Sequence, residues 1–276
     1  MAKLNGKTAL ITGSTDGVGC VVAKRLGEAG WRVLVHGRDR GRGERVAAEI
    51  TDAGGSAEFL MADLSALADV RRLADAVQKT APRLDLLINN AGVGTGGSQA
   101  AVRQTSTDGY ELRFAVNYLA GFLLTHLLLP LVKKSAPARI VNVSSIGQEA
   151  IDFDDVMLTE RYSGLRAYRQ SKLAQIMFTM DLAQELAGTG VTATALHPAS
   201  YMDTTMVRVA GVSPMSTVAQ GADAIINLAA SPELQGRTGL YFDGLRQSRP
   251  DAQAGDAAAR ARLRALSLKL AGLPAA

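Results

Sequence analysis

Apolar and polar positions follow two rhythms along this chain. Six short runs are apolar nearly throughout, at 8–12, 32–36, 57–61, 84–89, 139–144 and 192–196, and they predict strands buried on both faces. Longer segments of helical period lie between and after them, at 17–29, 42–53, 67–80, 109–134, 165–187 and 217–230. Repeated strand–helix winding with right-handed crossovers predicts an α/β fold in one domain, a doubly wound and mainly parallel sheet. Its ligand crevice lies at the carboxyl ends of the strands, where the winding reverses. No repeat or linker divides the chain. From 249 onward, Arg260, Arg262, Arg264 and Lys269 recur among Leu263, Leu266, Leu268 and Leu270, which predicts a terminal amphipathic helix packed on or beside the domain spanning 1–248.

Composition narrows the function classes. With 47% hydrophobic and 20% charged residues, the chain is expected to fold as a globule. Its formal charge of +4 is small and dispersed, so no nucleic-acid partner is expected. One cysteine, Cys20, excludes an internal disulfide and any multi-cysteine metal cage. The first residues lack a secretory pattern, so a cytoplasmic location is expected. The most apolar stretch, 119–132, contains His126 and Pro130 and falls short of the roughly 18–20 residues a bilayer requires, so it is read as a buried helix.

The candidate chemistry begins after the first strand, at Thr12-Gly13-Ser14-Thr15-Asp16-Gly17-Val18-Gly19. Glycines at 13, 17 and 19 let the backbone turn tightly beside a pyrophosphate, and the helix that follows offers free N–H groups and a partial positive charge. Gly13, Ser14, Thr15, Asp16, Gly17, Val18 and Gly19 are therefore candidate dinucleotide contacts. At the end of the second strand, Gly37 supplies no carboxylate for a ribose hydroxyl, while Arg38 offers a guanidinium fork suited to a 2′-phosphate, so NADP is expected over NAD. Asp63 and Leu64 follow the third strand on the adenine side, and Asn89-Asn90-Ala91-Gly92 closes the fourth. Small residues there leave room for ribose, with Asn89 and Asn90 as local hydrogen-bond anchors.

Tyr168 and Lys172 are four apart in a helical run, on one face, so an ammonium can lower the pKa of a phenol. Ser144 and Ser145 close an apolar strand where a hydroxyl can hold a substrate oxygen. Asn117 stands inside a long helix that its propensity disfavours, which predicts a side chain or water inserted into the helix ladder. The carboxylates of 148–164 are read as a charged loop, with a cleft wall as the other possibility. No essential metal is expected, and His36, His126 and His197 are read as packing or loop residues.

In order, these motifs resemble the short-chain dehydrogenase/reductase family over about residues 5–245: the Thr12–Gly19 turn, Asn89–Gly92, Asn117, Ser145 and Tyr168-x-x-x-Lys172. The resemblance implies a Rossmann fold and hydride transfer between NADP(H) and a carbonyl or alcohol. It implies that Tyr168 is the general acid/base, that Lys172 lowers its pKa and contacts the nicotinamide ribose, that Ser145 orients the carbonyl and that Asn117 anchors a proton relay. The residues around Arg38, the long gap from Ser145 to Tyr168 and the ending Gly239–Gly244 look like the retinol-dehydrogenase-like branch, whose members favour lipophilic substrates. The chain departs from the family pattern at His197-Pro198-Ala199-Ser200, with Thr204 and Thr205 displaced; Pro198 remains a candidate coenzyme contact. Pairing of 109–134 and 165–187 between subunits, as in relatives, implies a homodimer or homotetramer. A dinucleotide-binding regulator without turnover, and an epimerase or dehydratase on the same scaffold, are the other readings.

Overall fold

The computed structural model describes residues 6–95 and 100–274; the first residues, inspected above for a leader, lie outside them. The strands are β1 (Thr8–Ile11), β2 (Arg32–Gly37), β3 (Ser56–Met61), β4 (Leu86–Asn89), β5 (Ala138–Val143), β6 (Val191–His197), β7 (Leu240–Asp243) and β8 (Arg246–Ser248). They form one sheet in the order β3-β2-β1-β4-β5-β6-β7-β8, parallel except for the antiparallel β8. The reversal of winding between β1 and β4 opens the crevice. The central strands β1, β2 and β4 are apolar nearly throughout because both faces are covered. Ala9, Ile11, Val33, Val35, Leu86 and Ile88 pack into one layer, Leu10, Leu34 and Leu87 into the other, and none is exposed.

The helices are α1 (Gly17–Glu28), α2 (Arg40–Asp52), α3 (Leu67–Thr80), α4 (Ala120–Lys134), α5 (Gly164–Glu185), α6 (Thr205–Val209), α7 (Val218–Ala230) and α8 (Ala257–Ala271). Periodicity missed β7, β8 and α6, each five residues or shorter. Such spans are too short to develop a period. The helix expected from 109 begins only past Glu111, and Phe114–Leu119 is a π-helical turn leading into α4. Counted from Phe114 to Lys134, this is, among the described residues, the helix long and apolar enough to cross a membrane, longer than the apolar stretch 119–132; 67% of its apolar window is buried inside the fold.

Helix α8 lies against α5. Arg260 pairs with Asp181 at 2.7 Å, Arg264 with Glu185 at 3.3 Å, and the Tyr118 and Ser267 hydroxyls bond at 2.7 Å in the core. The tail thus covers part of the surface that the sequence reading assigned to pairing between subunits. The segment 148–164 is pinned rather than loose. Arg166 holds Glu149 and Asp152, Gln253 bonds both backbone groups of Ile151, and Arg262 holds Asp154. None of its residues lines the crevice, so the cleft-wall possibility is not realised.

Candidate active site

A cleft of about 730 Å³ opens at the carboxyl ends of the strands. Its floor is the turn from β1 into α1. Thr12 Oγ1 accepts the N–H groups of Asn90 and Ala91, and Asn90 Nδ2 donates to the carbonyls of Thr12 at 2.8 Å and Gly13 at 3.1 Å. The turn closes only without side chains: a Cβ on Gly13, at φ +65°, would fall 2.8 Å from Ala91 Cα, and one on Gly19 would fall 2.5 Å from the Gly13 carbonyl. Gly17, Val18 and Gly19 open α1 onto the cleft, and no acidic residue lies within its first turn. The cradle therefore fits an anionic dinucleotide, with backbone against pyrophosphate and a helix N-terminus behind it.

Ser14 is a correction to the sequence reading. Its hydroxyl donates to Ile11 O, its N–H donates to His36 O, and it is fully buried, so it braces β1 against β2 and does not line the cleft. His36 was missed as a site residue. Its Nδ1 accepts the Gly13 N–H at 3.1 Å, which requires a neutral ring, and burial holds its pKa down at about 4. Asp16 caps α1 through Gly17 N, and its other oxygen accepts the Thr205 hydroxyl at 2.9 Å, tying α6 to the glycine turn.

At the adenosine end Arg38 lines the cleft and is joined by Arg42, which the sequence reading did not single out. Asp39 is absent from the lining because its carboxylate caps α2 at Arg42 N and pairs with the Arg42 guanidinium at 3.5 Å. Two cations and no β2 carboxylate therefore face this end. Asp63 and Leu64 complete it, with Asp63 Oδ1 held by Ser65 N.

Tyr168, Lys172, Ser144 and Ser145 meet at the other end, beside Gly92 and Pro198. Ser144 Oγ donates to Lys172 O at 2.7 Å, whereas Ser145 Oγ accepts the Gly147 N–H at 3.0 Å and faces Tyr168, so Ser145 is the serine hydroxyl turned toward the cleft chemistry. The Ser145 carbonyl is held by the Tyr241 hydroxyl at 3.0 Å, a β7 residue that sequence reasoning missed. Asn117 lies behind the cleft. Its amide accepts Val93 N at 2.7 Å and donates to Val93 O and Ser171 Oγ, fastening the loop after β4 to α5. In place of the expected inserted side chain or water, the helix accommodates Asn117 in a π-helical turn, with Ala120 N–H reaching back to Ala115 O. Gly92 is needed there, since a Cβ would lie 3.2 Å from Asn117 Oδ1 and 3.6 Å from Lys172 Nζ.

The expected acidification of Tyr168 by Lys172 is not what this geometry produces. The ammonium sits 5.7 Å from the tyrosine ring centroid and bonds instead to Val143 O and Gln175 Oε1. Burial pushes the Tyr168 phenol up, with the Ser145 hydroxyl acting the other way, and burial brings Lys172 down to about 7. Among the described residues no group of three or more His, Cys, Asp and Glu side chains is gathered as for a metal ion.

The pattern of the short chain dehydrogenase family matches residues 7–212. This chain belongs to that family. It is 38% identical to human retinol dehydrogenase 13, covering 99% of this chain and 87% of that protein, and falls in the retinol-dehydrogenase-like branch. Among solved structures it is similar to the Pseudomonas aeruginosa RhlG/NADP complex, with TM-score 0.71, 30% identity and coverage of 87% and 95% of the two chains. It is also similar to the Brucella melitensis 3-ketoacyl-(acyl-carrier-protein) reductase complexed with NADH, with TM-score 0.71, 29% identity and coverage of 87% and 97%. The short-chain dehydrogenase described here is an oxidoreductase of the kind that transfers hydride with a nicotinamide dinucleotide.

Proposed function

We propose that this protein reduces an apolar ketone or aldehyde with NADPH and forms the corresponding alcohol and NADP⁺. The observation that carries the reading is the convergence of Tyr168, Ser145 and Lys172 at one end of a cleft whose other end is the glycine cradle. Bound there, the coenzyme supplies hydride to the carbonyl carbon. The Ser145 hydroxyl holds the carbonyl oxygen, and Tyr168 donates its phenolic proton to that oxygen as negative charge develops. Burial keeps the phenol protonated in the neutral range, so it holds the proton that the forming alkoxide takes up. Lys172 presents an ammonium to the ribose side of the cleft.

Two features support the finer choices. Arg38 and Arg42, with Asp39 turned into its cap, favour a 2′-phosphate over a free hydroxyl. Ile146, Leu165, Met206, Val207 and Val212 line the outer cleft, which favours a lipophilic substrate, in keeping with the name of the retinol dehydrogenase relative. A panel of apolar ketones and aldehydes, followed by loss of NADPH absorbance, tests the reading. Tyr168→Phe is expected to lower kcat by about 10²- to 10⁴-fold with NADPH affinity nearly unchanged. Wild-type turnover in that variant overturns the reading.

A further inference from the structure

The ammonium of Lys172 has three N–H donors and no acceptor. Two are committed inside the protein: one to the Val143 carbonyl at 2.9 Å, at the end of β5, and one to Gln175 Oε1 at 3.0 Å, one turn further along α5. Lys172 and Gln175 are both buried, at 5% and 3% exposure, so neither bond is exchanged for water. The amide must turn its oxygen toward Lys172, because an ammonium cannot accept a bond from the amide nitrogen. With two directions of a tetrahedral nitrogen occupied, the third has one remaining course. Lys172 also lines the cleft, where its nitrogen lies 3.6 Å from the Cβ position of Gly92.

The backbone around Gln175 is itself tied down. Thr179 Oγ1 donates to the Gln175 carbonyl, and Asn142 Nδ2 donates to Thr179 Oγ1. Asn89 Nδ2 donates in turn to Asn142 Oδ1 and to Thr125 Oγ1. This buried polar chain joins α5 to β5, β4 and α4. The titratable groups facing Lys172 are Tyr168, one turn earlier on α5, and His197 on β6, with Asp243 of β7 behind His197. Among the described residues no carboxylate bonds the ammonium, and its partners there are two neutral oxygens.

We propose that Gln175 is a positioning residue for Lys172: as the second fixed acceptor it aims the remaining N–H into the cleft and keeps the buried nitrogen charged. The inference rests on the reading of Lys172 as part of the reductase site, and it adds a group on α5 that no motif contains. Burial already draws Lys172 down to about 7, so loss of one acceptor is felt in the neutral range.

The test pairs Gln175→Met, which keeps the shape and removes the amide oxygen, with Gln175→Glu, which keeps an acceptor and adds charge. The first readout is the Lys172 ¹³Cε shift titrated by NMR in the coenzyme-free protein. A hydrogen bond to a charged group is worth enough to move the midpoint by about one pH unit, downward in Gln175→Met and upward in Gln175→Glu. The second readout is the alkaline limb of the kcat/KM profile for NADPH-dependent reduction, expected to move in the same directions. Unmoved Lys172 titration in both variants overturns the proposal, whatever their thermal stability, because a packing role alone changes Tm and not the midpoint. Should Gln175→Met fail to fold, the upward shift in Gln175→Glu decides alone. A titration that moves in a protein without turnover leaves the positioning role standing and removes the reductase reading instead.

Discussion

The two ends of the cleft are built by different means. At the cradle, the backbone is clasped on all sides: Asn90 on the carbonyls of Thr12 and Gly13, His36 on the Gly13 N–H, and glycines packed where a Cβ would collide. At the mouth, the bonds of α6 and its flanks run mostly within the segment itself, as from Val207 N to Thr204 O and from Met215 N to Tyr201 O, and cleft-lining apolar side chains face solvent, with Met206 41% and Val212 36% exposed. Thr205 joins the two through Asp16. A backbone cradle demands particular residues at particular positions, whereas an apolar mouth demands shape and hydrophobicity that many side chains provide. The shared part of the chemistry is therefore written rigidly and the part that selects a substrate loosely.

The sharpest way to break this contrast is at His36. Its ring must remain neutral to accept from Gly13, and its folded pKa of about 4 lies below the ordinary 6.5. The unfolded chain therefore binds the extra proton first, so this contribution is complete above pH 6.5 and is lost as pH falls through that value toward about 4. The loss is about 3 kcal/mol. Urea unfolding of the wild type and His36→Gln at pH 7 and pH 4 should show this slope only in the wild type; equal slopes would place the acid sensitivity elsewhere.

Gly19→Ala strikes the same region, since its Cβ would press on the Gly13 carbonyl. A cost of about 1–3 kcal/mol in stability is expected, together with loss of coenzyme binding by titration calorimetry. Retention of both would mean that the cradle yields more readily than its bonding implies. Arg38→Ala is expected to weaken NADPH by about 10- to 100-fold and leave NADH within a few-fold, as measured by fluorescence titration. Equal loss for both coenzymes would remove the 2′-phosphate assignment. At the mouth, Val212→Ser, on a cleft-lining and exposed side chain, should leave stability within about 0.5 kcal/mol and raise KM for the most apolar substrates only. A large fall in stability there would erase the distinction between the two ends.

Much of the cradle and the neighbouring Tyr168 and Lys172 was legible because each motif is local: Gly13, Gly17 and Gly19 within one turn, Tyr168 and Lys172 on one helical face. Ser14 was misread because the motif names its position without saying which way its hydroxyl turns. That direction is set by a strand 22 residues away, through the bond from His36 N to Ser14 Oγ. Arg42 and Asp39 divide their roles through a helix cap, which no charge count separates.

By itself the sequence determined the winding, the sign of the ligand and the family, because hydrophobic period and short-range spacing are properties of neighbouring residues. Only the tertiary structure decided which groups share a proton's surroundings. It turned the hydrogen bonds of Lys172 to Val143 and Gln175 while its ammonium stays 5.7 Å from the Tyr168 ring centroid, and it buried the phenol so that desolvation raises its pKa. Acidity inside a protein depends on distance and exposure in three dimensions, and those are settled when β5, β6 and α5 close around the site.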